Sequence, residues 1–311
     1  MTILIVGAGA TGGYFGARLA QAGRDVTFLV RPRRAAQLRE RGLRIVGPGA
    51  DADARKAIRP KLAVAGELTE PADVVLLSVK ATGLDQAIAD FAPAVGPRTA
   101  VVPFLNGMAH LDVLNRRFGE PAVFGGVVLI ATQLNDEGDI VQQLSPPASL
   151  TTGTQDGART TQLQAVYDQL SGAGFDLTIS DEIIARMWQK WVFLATIGAL
   201  TCLMRGTVGE IVAVPGGSDL GPAILAEACA VSAAAGYPVP ADVIASTTKT
   251  ITQAGSAANS SMSRDVAQGR PAEVEQVLAD LARRGAGHGI KTPLFDLATM
   301  QLRVYNNSLR G

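Results

Sequence analysis

The chain opens Met1-Thr2-Ile3-Leu4-Ile5-Val6-Gly7-Ala8-Gly9-Ala10-Thr11-Gly12-Gly13, and this stretch decides the fold. The apolar run Ile3 to Val6 reads as a buried strand, and a helical pattern is expected from about Gly13. Between them lies G-x-G-x-x-G, in the strand-then-helix setting that a dinucleotide-binding turn requires. Gly7 permits the tight turn, Gly9 lets the backbone approach a pyrophosphate, and Gly12 lets helix and strand pack closely. The phosphates are expected on Gly7, Ala8, Gly9, Ala10, Thr11 and Gly12, where free N–H groups and the helix dipole favour negative charge.

Outward from this turn, 311 residues allow two domains with substantial cores. Lys plus Arg and Asp plus Glu both number 28, so no charge excess invites nucleic acid or an acidic membrane. The apolar N-terminus lacks a basic flank and is broken by glycines, so it reads as a strand and not a signal peptide. The longest apolar run, Trp191 to Met204, is too short to span a membrane, and no membrane partner is expected. Cys202 and Cys229 have no metal spacing and cannot build a zinc site with His110 and His288, so no metal is expected. Together these features point to a cytoplasmic protein.

The first helix is expected over about Tyr14 to Ala22, closed by Gly23, and the second strand over Asp25 to Val30. Arg31 ends that strand. An acid there would bind the ribose hydroxyl of NAD, whereas an arginine accommodates the 2′-phosphate of NADP; Arg31, Arg33 and Arg34 make the position cationic, although a solvated basic helix start would look the same. Asp73 to Lys80 and Thr99 to Leu105 are near-continuous apolar strands of the kind buried in parallel sheets, ending in Lys80 and Asn106. Those two residues are candidates for ligand contact, or turn and cap residues. Strands are also expected over Phe124 to Leu134, Asp139 to Leu144, Ala148 to Gly153 and Phe175 to Ser180, with a helix from about Thr160 to Gly172.

From Asp181 the pattern is helical, which places a domain boundary near Ser180: residues 1–180 an α/β nucleotide-binding domain, 181–311 an all-helical one. Asp181 and Glu182 open a long helix whose apolar face includes Met187, Trp188, Trp191 and Leu194. Lys190 lies within it, either snorkelling to water or held for chemistry. Later helices are expected over about Leu220 to Ala235, Ala241 to Gln253 and Ala272 to Arg284, with a polar connection from Asn259 to Gly269. Glu273 falls in a first helical turn, where dipole complementarity alone would explain it.

End to end, the chain resembles the ketopantoate reductase (2-dehydropantoate 2-reductase) family. The resemblance is carried by GAGATGG at the start, Val79-Lys80, Leu105-Asn106-Gly107-Met108, and Trp188-Gln189-Lys190. It continues through Asn259-Ser260-Ser261-Met262 with Asp265, then Glu273, and closes on His288-Gly289-Ile290-Lys291-Thr292-Pro293. It implies an N-terminal Rossmann-type parallel-sheet domain, a C-terminal all-helical domain, and NADPH-dependent reduction of a 2-oxo acid in the cleft between them, as in pantothenate biosynthesis. It also admits a homodimer.

On the same resemblance, Lys190 is the general acid on the keto oxygen, Glu273 a catalytic and cofactor-side glutamate, Lys80 a cofactor contact, and Asn106 a contact of cofactor and substrate. Ser261 binds substrate. The asparagines that family members carry four and eight residues after the lysine are here Leu194 and Gly198, and a third polar position is Val208. That departure would make the wall beside the substrate greasier and roomier, which keeps a bulkier apolar 2-keto acid open beside ketopantoate. A non-catalytic NADP-binding redox sensor is the reading from another class.

Overall fold

Strand β1 (Thr2–Val6) is buried from Ile3 onward, as its apolar run requires. The computed structural model describes residues 1–144 and 146–309; Arg310 and Gly311, the last two of the expected helical domain, lie outside them. Contacts divide the chain into two units, Met1–Leu105 with His110–Ile184, and a second that begins at Ala185 and also takes in Asn106–Ala109.

In the first unit β1 leads to α1 (Ala10–Gln21), β2 (Asp25–Leu29), α2 (Pro32–Arg41), β3 (Ile45–Val46), β4 (Lys61–Ala63) and β5 (Val74–Leu77). Then come α3 (Leu84–Phe91), β6 (Ala100–Pro103), α4 (Ala109–Phe118), β7 (Gly125–Leu129), β8 (Thr132–Leu134), β9 (Ile140–Gln142), β10 (Ser149–Gly153), α5 (Thr161–Leu170) and β11 (Asp176–Ile179). Strands β4-β2-β1-β5-β6 form one sheet whose neighbours all run parallel. The chain goes to one side of β1 for β2 and to the other for β5, so the end of β1 is the switch point where such sheets bind ligands. Two three-stranded sheets, β11-β10-β7 and β3-β9-β8, complete the unit.

Helix α1 begins at Ala10, earlier than expected, because Gly9 caps it in extended conformation and its carbonyl accepts the Gly13 N–H at 2.9 Å. Glycines that read as loop are therefore the first helical turn. The single strand expected over Phe124 to Leu134 is two: β7 pairs with β10 and β8 with β9, in different sheets. Helices α3 and α4 had no counterpart in the sequence reading.

The second unit holds α6 (Ile183–Met204), α7 (Val208–Val212), α8 (Gly217–Ala234), α9 (Ala241–Ile251), α10 (Ser261–Ala267), α11 (Asp280–Gly287) and α12 (Pro293–Ser308). Asp181 and Glu182 precede α6, and Asp181 pairs with Arg159 at 2.5 Å. By length and composition α6 could cross a membrane, because the helix runs 22 residues and not the 14 or so of its apolar run. Yet 67% of its most apolar window is buried inside the protein, as in a core helix.

Two further elements differ from expectation. Residues 261–267 of the expected polar connection are the helix α10, capped by Ser260, whose hydroxyl accepts the Ser263 N–H at 2.9 Å. The helix expected from Ala272 starts at Val274 and its first stretch, Glu275–Ala279, is a π-turn that runs into α11. Glu273 thus stands just before the helix rather than within its first turn.

Candidate active site

The fingerprint turn is built by close approach. Gly7 has φ +97°, and a Cβ there would lie 2.5 Å from the Ser78 carbonyl oxygen; at Gly12 it would meet the Gly7 carbonyl and the Ser78 side chain. Gly9 differs, because nothing lies within 4 Å of its Cβ position. Two of the glycines pack protein on protein, and the middle one faces open space. Helix geometry leaves the N–H groups of Ala10, Thr11 and Gly12 without intrahelical acceptors, and no side chain caps them. Open space beside free donors fits a pyrophosphate.

Around this turn the three arginines divide. Arg31 is exposed at the N-cap of α2, with one guanidinium nitrogen 3.3 Å from the Cβ position of Gly83. Gly83 ends the short 3₁₀ turn Ala81–Gly83, which Lys80 caps, so two exposed cationic side chains, Arg31 and Lys80, attend one turn. Arg33 is exposed as well. Arg34 is a brace instead: it donates to the Ala8 carbonyl at 3.1 Å, the Gly138 carbonyl at 3.0 Å and Gln37 Oε1 at 2.6 Å. Burial lowers its pKa, with Asp139 opposing. Sequence reasoning missed this role, since only the hairpin turn at Gly138, a hundred residues on, reveals it.

In the helical unit Lys190 is half-buried on α6, and burial alone pushes its ammonium down to about 8. Its neighbour Trp191 is 1% exposed and donates its indole N–H to the Val277 carbonyl in the π-turn at 2.8 Å. Gly107, at φ +79°, approaches the next carbonyl of that turn: a Cβ would collide with the Gln276 oxygen and lie 3.8 Å from the Trp191 indole nitrogen. Asn106 immediately precedes this contact and is half-buried. Glu273, also half-buried, leads into the π-turn, its carbonyl accepting the Val277 N–H at 3.3 Å. The structure thus brings the backbone segments carrying Asn106, Lys190 and Glu273 onto one π-turn.

The face of α6 beyond Lys190 corrects one expectation. Leu194 is half-buried and apolar as read. Gly198 opens no room, because the Met262 methyl carbon stands 2.5 Å from its Cβ position. Thr201 offers no spare donor: its hydroxyl donates to the Ile197 carbonyl at 2.6 Å and lies 3.0 Å from the Ser260 hydroxyl. Val208 is fully buried. Ser261 is exposed at the start of α10, while its neighbour Ser260 is the buried cap. Asp265 is bound by Arg270 at 2.8 Å, and His288 is exposed at the end of α11. Cys202 and Cys229 are free thiols, and burial raises Cys202 to about 11. Among the described residues no group of three or more His, Cys, Asp or Glu could hold a metal.

Comparison with known proteins shows what the chain as a whole is similar to. The family model for "Ketopantoate reductase PanE/ApbA" matches residues 3–157, and that for "Ketopantoate reductase PanE/ApbA C terminal" matches residues 182–306. An uncharacterised oxidoreductase, YkpB of Bacillus subtilis (strain 168), is 32% identical over 305 residues, 98% of this chain and 99% of the relative. A crystal structure of a PanE/ApbA family ketopantoate reductase from Ralstonia eutropha JMP134 superposes with a TM-score of 0.88 at 24% identity, covering 100% of both chains. D-mandelate dehydrogenase, solved with NADH and anilino(oxo)acetate, gives 0.87 at 22%, again over 100% of both, which is a likeness of fold.

Proposed function

The chain belongs to the ketopantoate reductase family of nicotinamide-dependent oxidoreductases, and on that premise we propose that it reduces a 2-oxo acid with NADPH, Lys190 supplying the proton. The observation that carries this reading is the state of Lys190. An ammonium lowered to about 8 by burial is still protonated at neutral pH, yet releases its proton far more readily than an exposed lysine. It would donate a hydrogen bond to the substrate's keto oxygen, stabilise the negative charge that develops there, and transfer its proton to that oxygen. The bound nicotinamide supplies the hydride. Glu273 would accept a hydrogen bond from the ammonium and orient it, and Asn106 would bind cofactor and substrate. A sensor that merely binds NADP has no use for a buried ammonium, which favours the enzyme.

Cofactor choice rests on Arg31, whose exposed planar cation suits a 2′-phosphate, with Lys80 at the adjacent turn. Gly9 and the free N–H groups of α1 would hold the pyrophosphate, and Ser261 the substrate. The free thiols suit a reducing cytoplasm.

The substrate taken first is 2-dehydropantoate, for which the family is named. A second reading is favoured by Leu194 and by Met262 beside Gly198: this face of α6 lacks amides, and the Thr201 hydroxyl is already engaged. Such a wall suits a 2-oxo acid with an apolar tail, and the fold shared with D-mandelate dehydrogenase supports trying an aryl group. NADPH oxidation measured against 2-dehydropantoate and a graded set of alkyl and aryl 2-oxo acids tests both readings. Turnover of at least one is expected; a nucleotide that binds but is oxidised by none of them would overturn the enzymatic reading.

A further inference from the structure

Between Ala272 and Val277 the backbone is pinned at both ends by side chains that take no part in the chemistry above. Asn306 of α12 clamps Ala272 on both sides, accepting its N–H at 2.9 Å and donating to its carbonyl at 2.9 Å. Trp191 of α6 donates to the Val277 carbonyl at 2.8 Å. Glu273 lies between the two clamps, and the π-turn that follows it carries the Gln276 carbonyl on which Gly107 rests. A π-turn is an inserted residue in a helix, kept at a cost in hydrogen-bond geometry and found often at functional sites. Here its carbonyl at Val277 is buried and has found a partner in the indole.

We propose that Trp191 and Asn306 are positioning residues, and that the Ala272–Val277 segment they clamp is the bracket that sets Lys190, Glu273 and Asn106 relative to one another. The inference rests on the reading of those three as the polar groups of the site. Helix rotation supplies the mechanism. Adjacent residues on an α-helix differ by about 100° in direction, so fixing the Trp191 indole on the Val277 carbonyl fixes the azimuth at which Lys190 leaves α6. The Arg284 guanidinium, bonded to the buried Asp280 at 3.0 Å, lies 5.9 Å over the Trp191 ring and adds a second contact to it. On the Glu273 side, clamping Ala272 and Val277 leaves the intervening backbone little freedom. Gly107 adds the third group, because only a glycine can turn at φ +79° against the Gln276 carbonyl.

The test uses the full chain with Trp191→Phe, which keeps an aromatic ring but removes the donor, and Asn306→Ala, which releases the other clamp. Leu302→Ala, a fully buried position of α12 outside the bracket, is the control for general loss of stability. The first readout needs no substrate: the pH dependence of Lys190 acylation by a trace of acetic anhydride, followed by mass spectrometry of its peptide. In Trp191→Phe the Lys190 titration should move up by about one pH unit as water reaches the ammonium, while the control leaves it in place. The second is turnover of the best substrate, where kcat should fall about tenfold in both clamp variants with KM and NADPH affinity within about twofold. Unchanged titration and kcat in both clamp variants, or equal changes in the Leu302→Ala control, would overturn the bracket. If Trp191→Phe does not fold, Asn306→Ala decides through kcat. Lys190→Ala, run in parallel, separates the two ideas: full turnover there defeats the functional reading, whereas a lost turnover with intact clamp variants defeats only the bracket.

Discussion

The fingerprint turn of the first unit and the π-turn of the second both hold backbone in unusual geometry, and they differ in how their parts are drawn from the chain. At the fingerprint, strand, turn and helix start lie within a dozen consecutive residues, and the main distant partner is Ser78, which presses on both Gly7 and Gly12. At the π-turn and the residues leading into it, 107, 191, 277 and 306 come from a loop, two helices and the turn itself across two hundred residues, and none has a reason visible in its neighbours. One region is specified chiefly by spacing, with Ser78 as its main distant contact, and the other by tertiary contact throughout. A ligand cradle can therefore be recognised from a short motif, whereas the means of aiming a catalytic side chain emerges only once the fold is known.

The largest expected effect belongs to the second region. Replacing Lys190 with Met should lower kcat by about a hundredfold or more. The same change should stabilise the protein. With a folded pKa of about 8 against 10.5 for the free side chain, the unfolded chain binds the proton more tightly. Below pH 8 the wild type carries the whole penalty for a buried charge, on the order of 3 kcal/mol, and loses it as pH rises from 8 to 10.5. Denaturant melts at pH 7 should show Lys190→Met more stable, with the gap narrowing toward pH 10. A variant that is inactive and also less stable would break the contrast, because Lys190 would then be holding structure.

The first region should respond glycine by glycine. Gly7→Ala forces a side chain into positive φ and onto the Ser78 carbonyl, and should destabilise by on the order of 2–4 kcal/mol. Gly9→Ala meets no protein atom and should melt within about 1 kcal/mol of wild type, while weakening NADPH binding by about tenfold or more. Thermal melts with calorimetric binding resolve the two. Equal effects of the two substitutions on affinity would mean that Gly9 does not face the pyrophosphate.

A smaller effect is expected at the edge of the same site. Arg31→Ala should erase a preference for NADPH over NADH of about ten- to a hundredfold, the value of one charge-assisted contact of roughly 1.5–3 kcal/mol. Equal dissociation constants in the wild type would remove Arg31 from that role. The smallest effect returns to α6. Leu194→Asn, which adds an amide one turn beyond Lys190, should shift kcat/KM toward 2-dehydropantoate and away from aryl 2-oxo acids by several-fold to about tenfold. Gly198→Asn would first have to displace the Met262 methyl group, so Leu194→Asn is the cleaner test.

The same contrast explains what could be read in advance. The buried parallel strands, the Gly23 helix stop and the helix start near Thr160 follow from periodicity and turn chemistry, which act over a few residues. The start of α1 was misplaced because Gly9 to Gly13 carry no apolar pattern, although their backbone is already helical from Ala10. Helices α3 and α4 are short and follow the strand ends at Lys80 and Asn106, whose glycines and polar residues read as turns. At the site, the residue types stood out in the sequence. Whether Gly198 opened a space, whether Thr201 was free, and what Arg34 and Trp191 hold depended on Met262, Ser260, Gly138 and Val277, each distant in sequence.

The central claim is that a buried lysine ammonium delivers the proton in a nicotinamide-dependent reduction, and the pH profile of kcat/KM for the best 2-oxo acid tests it most directly. Reduction needs Lys190 protonated, so the wild-type profile should be flat through neutrality and fall about tenfold per pH unit above about 8, with that limb absent from the residual activity of Lys190→Met. A wild-type profile that stays level or rises through pH 9, or a limb that survives in Lys190→Met, would contradict the account.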